Sequence, residues 1–201
     1  MSNYPSKLAV VIPDFVIVEG DESRGDPRRF VLLNAFAILR VERLGRGFKF
    51  EESRLVDETG TRGVDLLMDL TAHLDADTSL AGHRLDQVIG SLLQVPCDDP
   101  RDAACKPALL RLKAALANEV QDAHWFDRDR HRSLDDLAGD YDLPAEWHRA
   151  TRQGNLNMLE RELSAKAQSV WLSIAHELLP MDELRRANAD YDHWRTANAI
   201  A

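Results

Sequence analysis

Cysteine is scarce in this chain: 201 residues hold two thiols, Cys97 and Cys105. A disulfide framework needs more of them, and a zinc site needs a different spacing. Both are expected to be reduced thiols in a Pro/Asp-rich loop. No apolar run approaches the ~20 residues that cross a bilayer, so no membrane segment is expected. The opening stretch MSNYPSKLAVVIPDF carries one lysine before an apolar run broken by Pro13 and Asp14. It is expected to be a core strand rather than a secretion signal, and the protein to be cytoplasmic. GxGxxG, P-loop, GxSxG, CxxC and HExxH motifs are all missing. Their lack disfavours dinucleotide enzymes, Walker NTPases, α/β-hydrolases and the common zinc enzymes.

Positive charge is also in deficit. Lys and Arg number 25 against 34 Asp and Glu, a formal net charge of −9. Such a chain does not attract polyanions in bulk, so a nucleic-acid partner would need a local basic patch or bound metal. The length and a 44% hydrophobic content suit one globular domain with at most a helical appendage. The boundary is expected near Pro180, giving a domain over 1–179 and a helical extension over 180–201.

Three strands are expected first: Leu8–Val18, Phe30–Glu42 and Phe48–Val56. They are rich in β-branched and aromatic residues, with Pro13 at a bulge or kink and a glycine-containing connection at 45–47. The hydrophobic period then becomes helical. Val64, Leu67, Met68, Thr71 and Leu74 mark one helix, and Leu85, Val88, Ile89 and Leu92 another. TSLAG at 78–82 between them reads as a fourth strand. Pro107 is expected at the first position of the next helix, after a loop at 96–107. VQDAHWF at 120–126 can supply a short strand. Ser133 and Asp136 suit a cap for a helix over 134–141. The longest helix is expected at 155–179, ended by Pro180, with a more polar one from Met181 to Ala199.

Acids crowd the end of the first strand. VEGDESRGDP, from Val18 to Pro27, holds Glu19, Asp21, Glu22 and Asp26. Two-metal phosphoryl chemistry needs carboxylates from separated chain segments around a pair of hard divalent ions. The same residues also make an ordinary polar turn. Asp86, in LAGHRLDQVIGSLL, lies in a first helical turn, where the helix dipole alone favours an acid. His83 nearby suits a cap, a surface position or a ligand. His131 ahead of Asp136 has the spacing of a general base beside a metal, or of a plain capped helix. Glu162 and Lys166 are four apart and read as a helix-surface pair, beside Glu160. Trp125, Trp147, Trp171 and Trp194 read as core or interface rings. Tyr191 and Trp194 suit a homodimer contact or core packing equally.

Several of these segments resemble the DnaQ-like 3′–5′ exonucleases of the ribonuclease H-like superfamily. The similarity spans residues 8–179. Three strands, a helix, a strand and further helices is that fold's order. AGHRLDQVIGSLL is similar to the family's second motif, with Asp86 in the metal position. SLDDLAGDYDLP at 133–144 is similar to a following SLDDLA…LGLP segment, and LSAKAQSVWLSIAHEL to the final helix. The resemblance implies an α/β fold with a mixed sheet whose first three strands are antiparallel, packed by helices. It implies a Mg²⁺- or Mn²⁺-dependent exonuclease acting on DNA or RNA, with Glu19, Asp21 and Asp86 as metal ligands and Glu162 as a further catalytic carboxylate.

The family's Asp-x-Glu is altered here. Glu19-Gly20-Asp21 keeps its spacing with the acids reversed. Other registers use Asp14 with Val16 in the Glu place, or Glu22 with Gly20 in the Asp place. The late-helix aspartate falls near Ser164 or Lys166, so Glu160 or Glu162 compensates or the site is degenerate. The second expectation is therefore a catalytically degraded domain that binds nucleic acid or protein. A third is an unrelated α/β fold.

Overall fold

A computed structural model describes residues 4–19, 29–56, 63–75, 77–93, 102–116, 120–123 and 156–198. The three N-terminal strands form a meander: β1 (Lys7–Glu19), β2 (Arg29–Leu44) and β3 (Gly47–Val56). Both of its pairings are antiparallel. Gly45, at φ +59°, supplies the left-handed conformation that the tight β2–β3 connection requires. Helix α1 (Gly63–Ala72) follows, then β4 (Ser79–Gly82) and α2 (Leu85–Leu92). Next come α3 (Asp102–Leu116), β5 (Gln121–Asp122), α4 (Leu156–Leu178) and α5 (Met181–Ala197). The sheet order is β3-β2-β1-β4-β5. β4 lies parallel to β1, and β5 parallel to β4. The protein is thus α/β with a five-stranded mixed sheet.

Strand alternation divides the sheet between two cores. Leu8, Val10 and Ile12 of β1 face one side with Ala35, Ala37, Leu39 and Val41 of β2. This side is covered by α4, through Leu159, Leu163, Ala167, Val170, Trp171 and Ile174. Ala9 and Val11 face the other side with Phe36 and Ile38. There Leu66, Leu67 and Leu70 of α1, Leu85 and Leu92 of α2, and Leu112 of α3 close the layer. A helix–sheet–helix sandwich follows from these two sets of residues.

The helix expected as an extension over 180–201 contributes to the first of these cores. Leu184, Ala187 and Tyr191 of α5 are buried in it, with Trp194 packed alongside. Phe50 makes edge-on contacts with Trp171 and Tyr191, at centroid distances of 4.9 and 5.1 Å. Trp171 Nε1 donates to the Tyr4 hydroxyl at 3.1 Å. Burial raises the pKa of both the Tyr4 and Tyr191 hydroxyls above the ordinary phenol value. Asp190 of α5 accepts from the backbone N–H of Phe48 at 2.8 Å, satisfying a donor at the start of the edge strand. Tyr191 and Trp194 therefore pack within the chain. Trp125 and Trp147 lie outside the described residues.

Two local expectations are corrected. Pro107 stands inside α3, which begins at Asp102, five residues ahead of it. There it removes one helical hydrogen bond and its ring crowds the carbonyl of Ala103, close to the start of the helix. The irregularity in β1 is centred one residue after Pro13. Asp14 pairs with Ala35 and Phe15 with Leu33, leaving Asn34 of β2 as the extra residue of a bulge. Among the described residues no helix is long and apolar enough to cross a membrane.

Candidate functional site

The C-terminal end of β4 is the natural place to look for a site. In open α/β sheets, ligands gather where parallel strands end and helices begin. Here Ser79, Leu80, Ala81 and Gly82 are all buried, and the chain turns through His83 and Arg84 into α2. Gly82 is pressed against this turn. A Cβ there would meet Leu85 Cδ1 at 2.6 Å and the Val11 carbonyl oxygen at 3.5 Å. Arg84 adopts φ 51° and ψ 52°, a left-handed conformation that disfavours any residue with a side chain.

The turn is held by a residue that the sequence did not point to. Asp122, 3% exposed at the end of β5, faces it from the neighbouring strand. One carboxylate oxygen accepts from Arg84 N at 2.9 Å and the other from Leu85 N at 2.8 Å. Arg84, at the N-cap position, makes no side-chain capping bond. Asp122 therefore caps α2 from another strand, and its charge lies where the helix dipole favours an anion. His83 is buried beside it at 8% exposure. Asp86 lies in the first turn of α2 and points to solvent.

The first-strand acids are placed differently from this turn. Val10 is level with Ala81, and Glu19 pairs with Arg29 at the far end of β1. Nine residues at ~3.3 Å each put the Glu19 backbone about 30 Å along the strand from Ala81. Asp86, in contrast, is in the first turn of the helix that opens three residues after Gly82. The register does not bring Glu19 to Asp86. Asp21, Glu22, His131 and Asp136 lie outside the described residues, as does Cys97. Of the register acids that are described, Asp14 and Glu19, Asp14 lies nearer the end of β4. It follows Ile12 by two residues and so shares the face covered by α4. Its carboxylate accepts from Asn34 Nδ2 at 2.8 Å. The extra residue of the β2 bulge thus supplies a partner for Asp14.

Glu162 also departs from expectation. The predicted surface pair with Lys166 exists, yet its two side chains are only 8% and 15% exposed. Lys166 Nζ donates to Glu162 Oε1 within one turn of α4. The helix is covered on the sheet side and these residues border that side, each next to a core residue, Leu163 and Ala167. Sequence periodicity gave no sign of burial, because both residues are charged.

A pair of hard divalent ions would take several carboxylate oxygens at once. Three of the described acids have partners, whereas Asp86 is exposed. Both Asp122 oxygens face backbone N–H groups, Glu162 faces an ammonium, and Asp14 faces an amide. Among the described residues, no three His, Cys, Asp or Glu side chains converge to hold a metal ion. The described residues do not fit a two-metal centre. A cavity of about 190 Å³ lies at the opposite end of the sheet, lined by Lys7, Arg40, Lys49, Glu42, Glu51 and Asp75 among others. Two of its cations are paired within the chain, Lys7 with Asp77 at 2.7 Å and Arg40 with Glu51.

Comparison with family models, with curated proteins and with solved structures finds no match for this chain.

Proposed function

We propose that the chain is a ribonuclease H-like domain related to the DnaQ-like exonucleases, in which the hydrolytic site has become structural and the domain acts as a binding module. Support for the fold comes from the element order and from the mixed sheet with its antiparallel three-strand start. The observation that carries the functional reading is Asp122. The best-buried carboxylate at the end of the parallel strands spends both oxygens on the backbone of α2. Glu162, one of the acids that could compensate for the late-helix aspartate of the resemblance, faces Lys166. A net charge of −9 favours a protein partner over a polyanion.

The test is degradation of end-labelled single-stranded DNA and RNA by the purified chain in Mg²⁺ or Mn²⁺, beside an Asp86→Ala variant. No shortening, or shortening equal in both proteins, is expected; equal shortening marks a contaminating nuclease. Metal-dependent 3′ shortening that Asp86→Ala abolishes would instead establish the exonuclease reading. Fluorescence anisotropy with the same oligonucleotides in EDTA addresses the partner. Weak, salt-suppressed binding is expected, and tight binding would make nucleic acid the partner.

A further inference from the structure

β3 ends the sheet, so one of its edges has no strand beside it among the described residues. An open edge presents N–H and C=O groups that template pairing with another chain. Helix α5 closes the start of this one. Phe48 N–H turns away from β2 and donates to Asp190 Oδ2 at 2.8 Å. N–H directions alternate along a paired strand, so Phe50, Glu52, Arg54 and Val56 turn theirs outward as well. β2 lies along the inner side of this stretch as far as the Ala35–Val56 pair.

The charges here are placed by face. Glu51 has Arg40 of β2 as its ion-pair partner. Glu52 and Arg54 are on the opposite face, level with Leu39 and Ala37 of β2. Both are half-buried, and they approach each other at 3.7 Å. A lone charge on an edge strand guards it against pairing. Two unlike charges two residues apart act differently, because an antiparallel copy can set each opposite the other. Unlike charges directly opposite stabilise such a ladder, and like charges destabilise it. The outward groups belong to even-numbered residues, so even must pair with even, and a twofold axis must pass through a residue. An axis at Glu51, Glu52 or Arg54 sets two like charges face to face. An axis at Phe50 needs the Phe48 donor that Asp190 holds. An axis at Leu55 leaves β3, which ends at Val56, almost no overlap. An axis at Ser53 sets Glu52 opposite Arg54 of the second copy, twice, with Phe50 opposite Val56.

We propose that the open edge of β3 is a dimerisation surface whose occupant is a second copy of this chain, paired antiparallel about Ser53. The two five-stranded sheets then run on as one. The inference does not depend on the end of β4, and it holds whether or not the chain cleaves nucleic acid.

The test is sedimentation of the full chain over a range of concentrations, together with amide exchange. The mass should rise from that of one chain to that of two. The Glu52 and Arg54 amides should gain protection as it rises, whereas those of Glu51, Ser53 and Leu55, which face β2, should not change. Glu52→Arg and Arg54→Glu each set like charges opposite one another twice, and each should weaken the dimer by roughly tenfold or more. Mixed in equal amounts, these two variants should pair with one another. The double variant Glu52→Arg/Arg54→Glu should dimerise like the parent. The mass and amide exchange of the parent need no variant, so they decide the test if a variant fails to fold. A single-chain mass at every concentration overturns the proposal and makes the charges a guard on the edge. A dimer whose Glu52 and Arg54 amides stay unprotected, or one that both single variants retain in full, overturns it too.

Discussion

Replacing Asp122 by alanine should be among the most damaging single changes at the end of the sheet. The carboxylate holds two backbone donors, Arg84 N and Leu85 N, at 2.9 and 2.8 Å. Hydrogen bonds to a charged group contribute about 1.5–3 kcal/mol each, so the pair contributes ~3–6 kcal/mol. Whole domains are stable by about 5–15 kcal/mol, which makes this loss a large share of the total. Asp122→Asn keeps one carbonyl oxygen and should lose roughly half, ~1.5–3 kcal/mol. Urea unfolding followed by circular dichroism measures both. The midpoint should drop with the slope unchanged, because the native state remains compact. Amide exchange at Leu85 should accelerate in step. An Asp122→Ala variant within ~0.5 kcal/mol of the parent would refute the capping account, since ordinary surface substitutions fall in that range. Asp122 would then be available for other chemistry, and the strongest support for a structural site would be gone.

Two further outcomes follow from the same geometry. Arg84→Gly should stabilise the chain by about 0.5–1 kcal/mol. Relief of a left-handed residue (about 1–2 kcal/mol) exceeds the added flexibility of glycine (about 0.5–1 kcal/mol). A lower urea midpoint would mean that Arg84 side-chain contacts outweigh the strain. His73 should make stability depend on mildly acidic pH. Burial, and after it the charge of Arg40, lowers its pKa, against smaller opposing effects from Glu51, Asp69 and Asp75. The unfolded chain therefore takes up the proton first as pH falls below ~6.5. The stability from neutral His73 is complete above that pH and is lost as pH falls towards the lower folded value. His73→Gln should flatten the stability profile through this interval. An unchanged profile in the variant would remove His73 as its source.

The alternation and runs of β1 to β3, and the stripe of α4, were legible because each is a local pattern repeated over ten or more residues. The stripe Leu159, Leu163, Ala167, Val170 and Ile174 can face only one way on a helix, and that face is buried. The polar composition of α5 hid its contribution, since three buried residues, Leu184, Ala187 and Tyr191, are enough to seat it. Asp122 was invisible for a different reason. Its meaning depends on Gly82 and Asp122 being register partners, across 40 positions of sequence. Asn34 carried no local signal either. Its amide matters because the bulge in β2 lets it reach Asp14. Asp86 was conspicuous in the sequence because it opens a helix, and a helix dipole is sufficient reason for an acid to stand there.

A carboxylate becomes a candidate ligand only after its lone pairs have been followed to their partners. Glu19 and Asp86 looked like two halves of one site because both close a strand-to-loop passage in the sequence. Strand register separates those passages. β1 continues for nine residues beyond the level of Ala81, whereas β4 ends after one more residue. Asp86 at the end of β4 is exposed, whereas Asp122, Asp14 and Glu162 are buried or half-buried. Each of these last three has been given a partner of fixed geometry by the chain itself: two amides of a helix start, an asparagine at a bulge, and a lysine one turn away. Partners fixed in this way set the orientation of each carboxylate, so a metal would have to be reached by the lone pairs that remain.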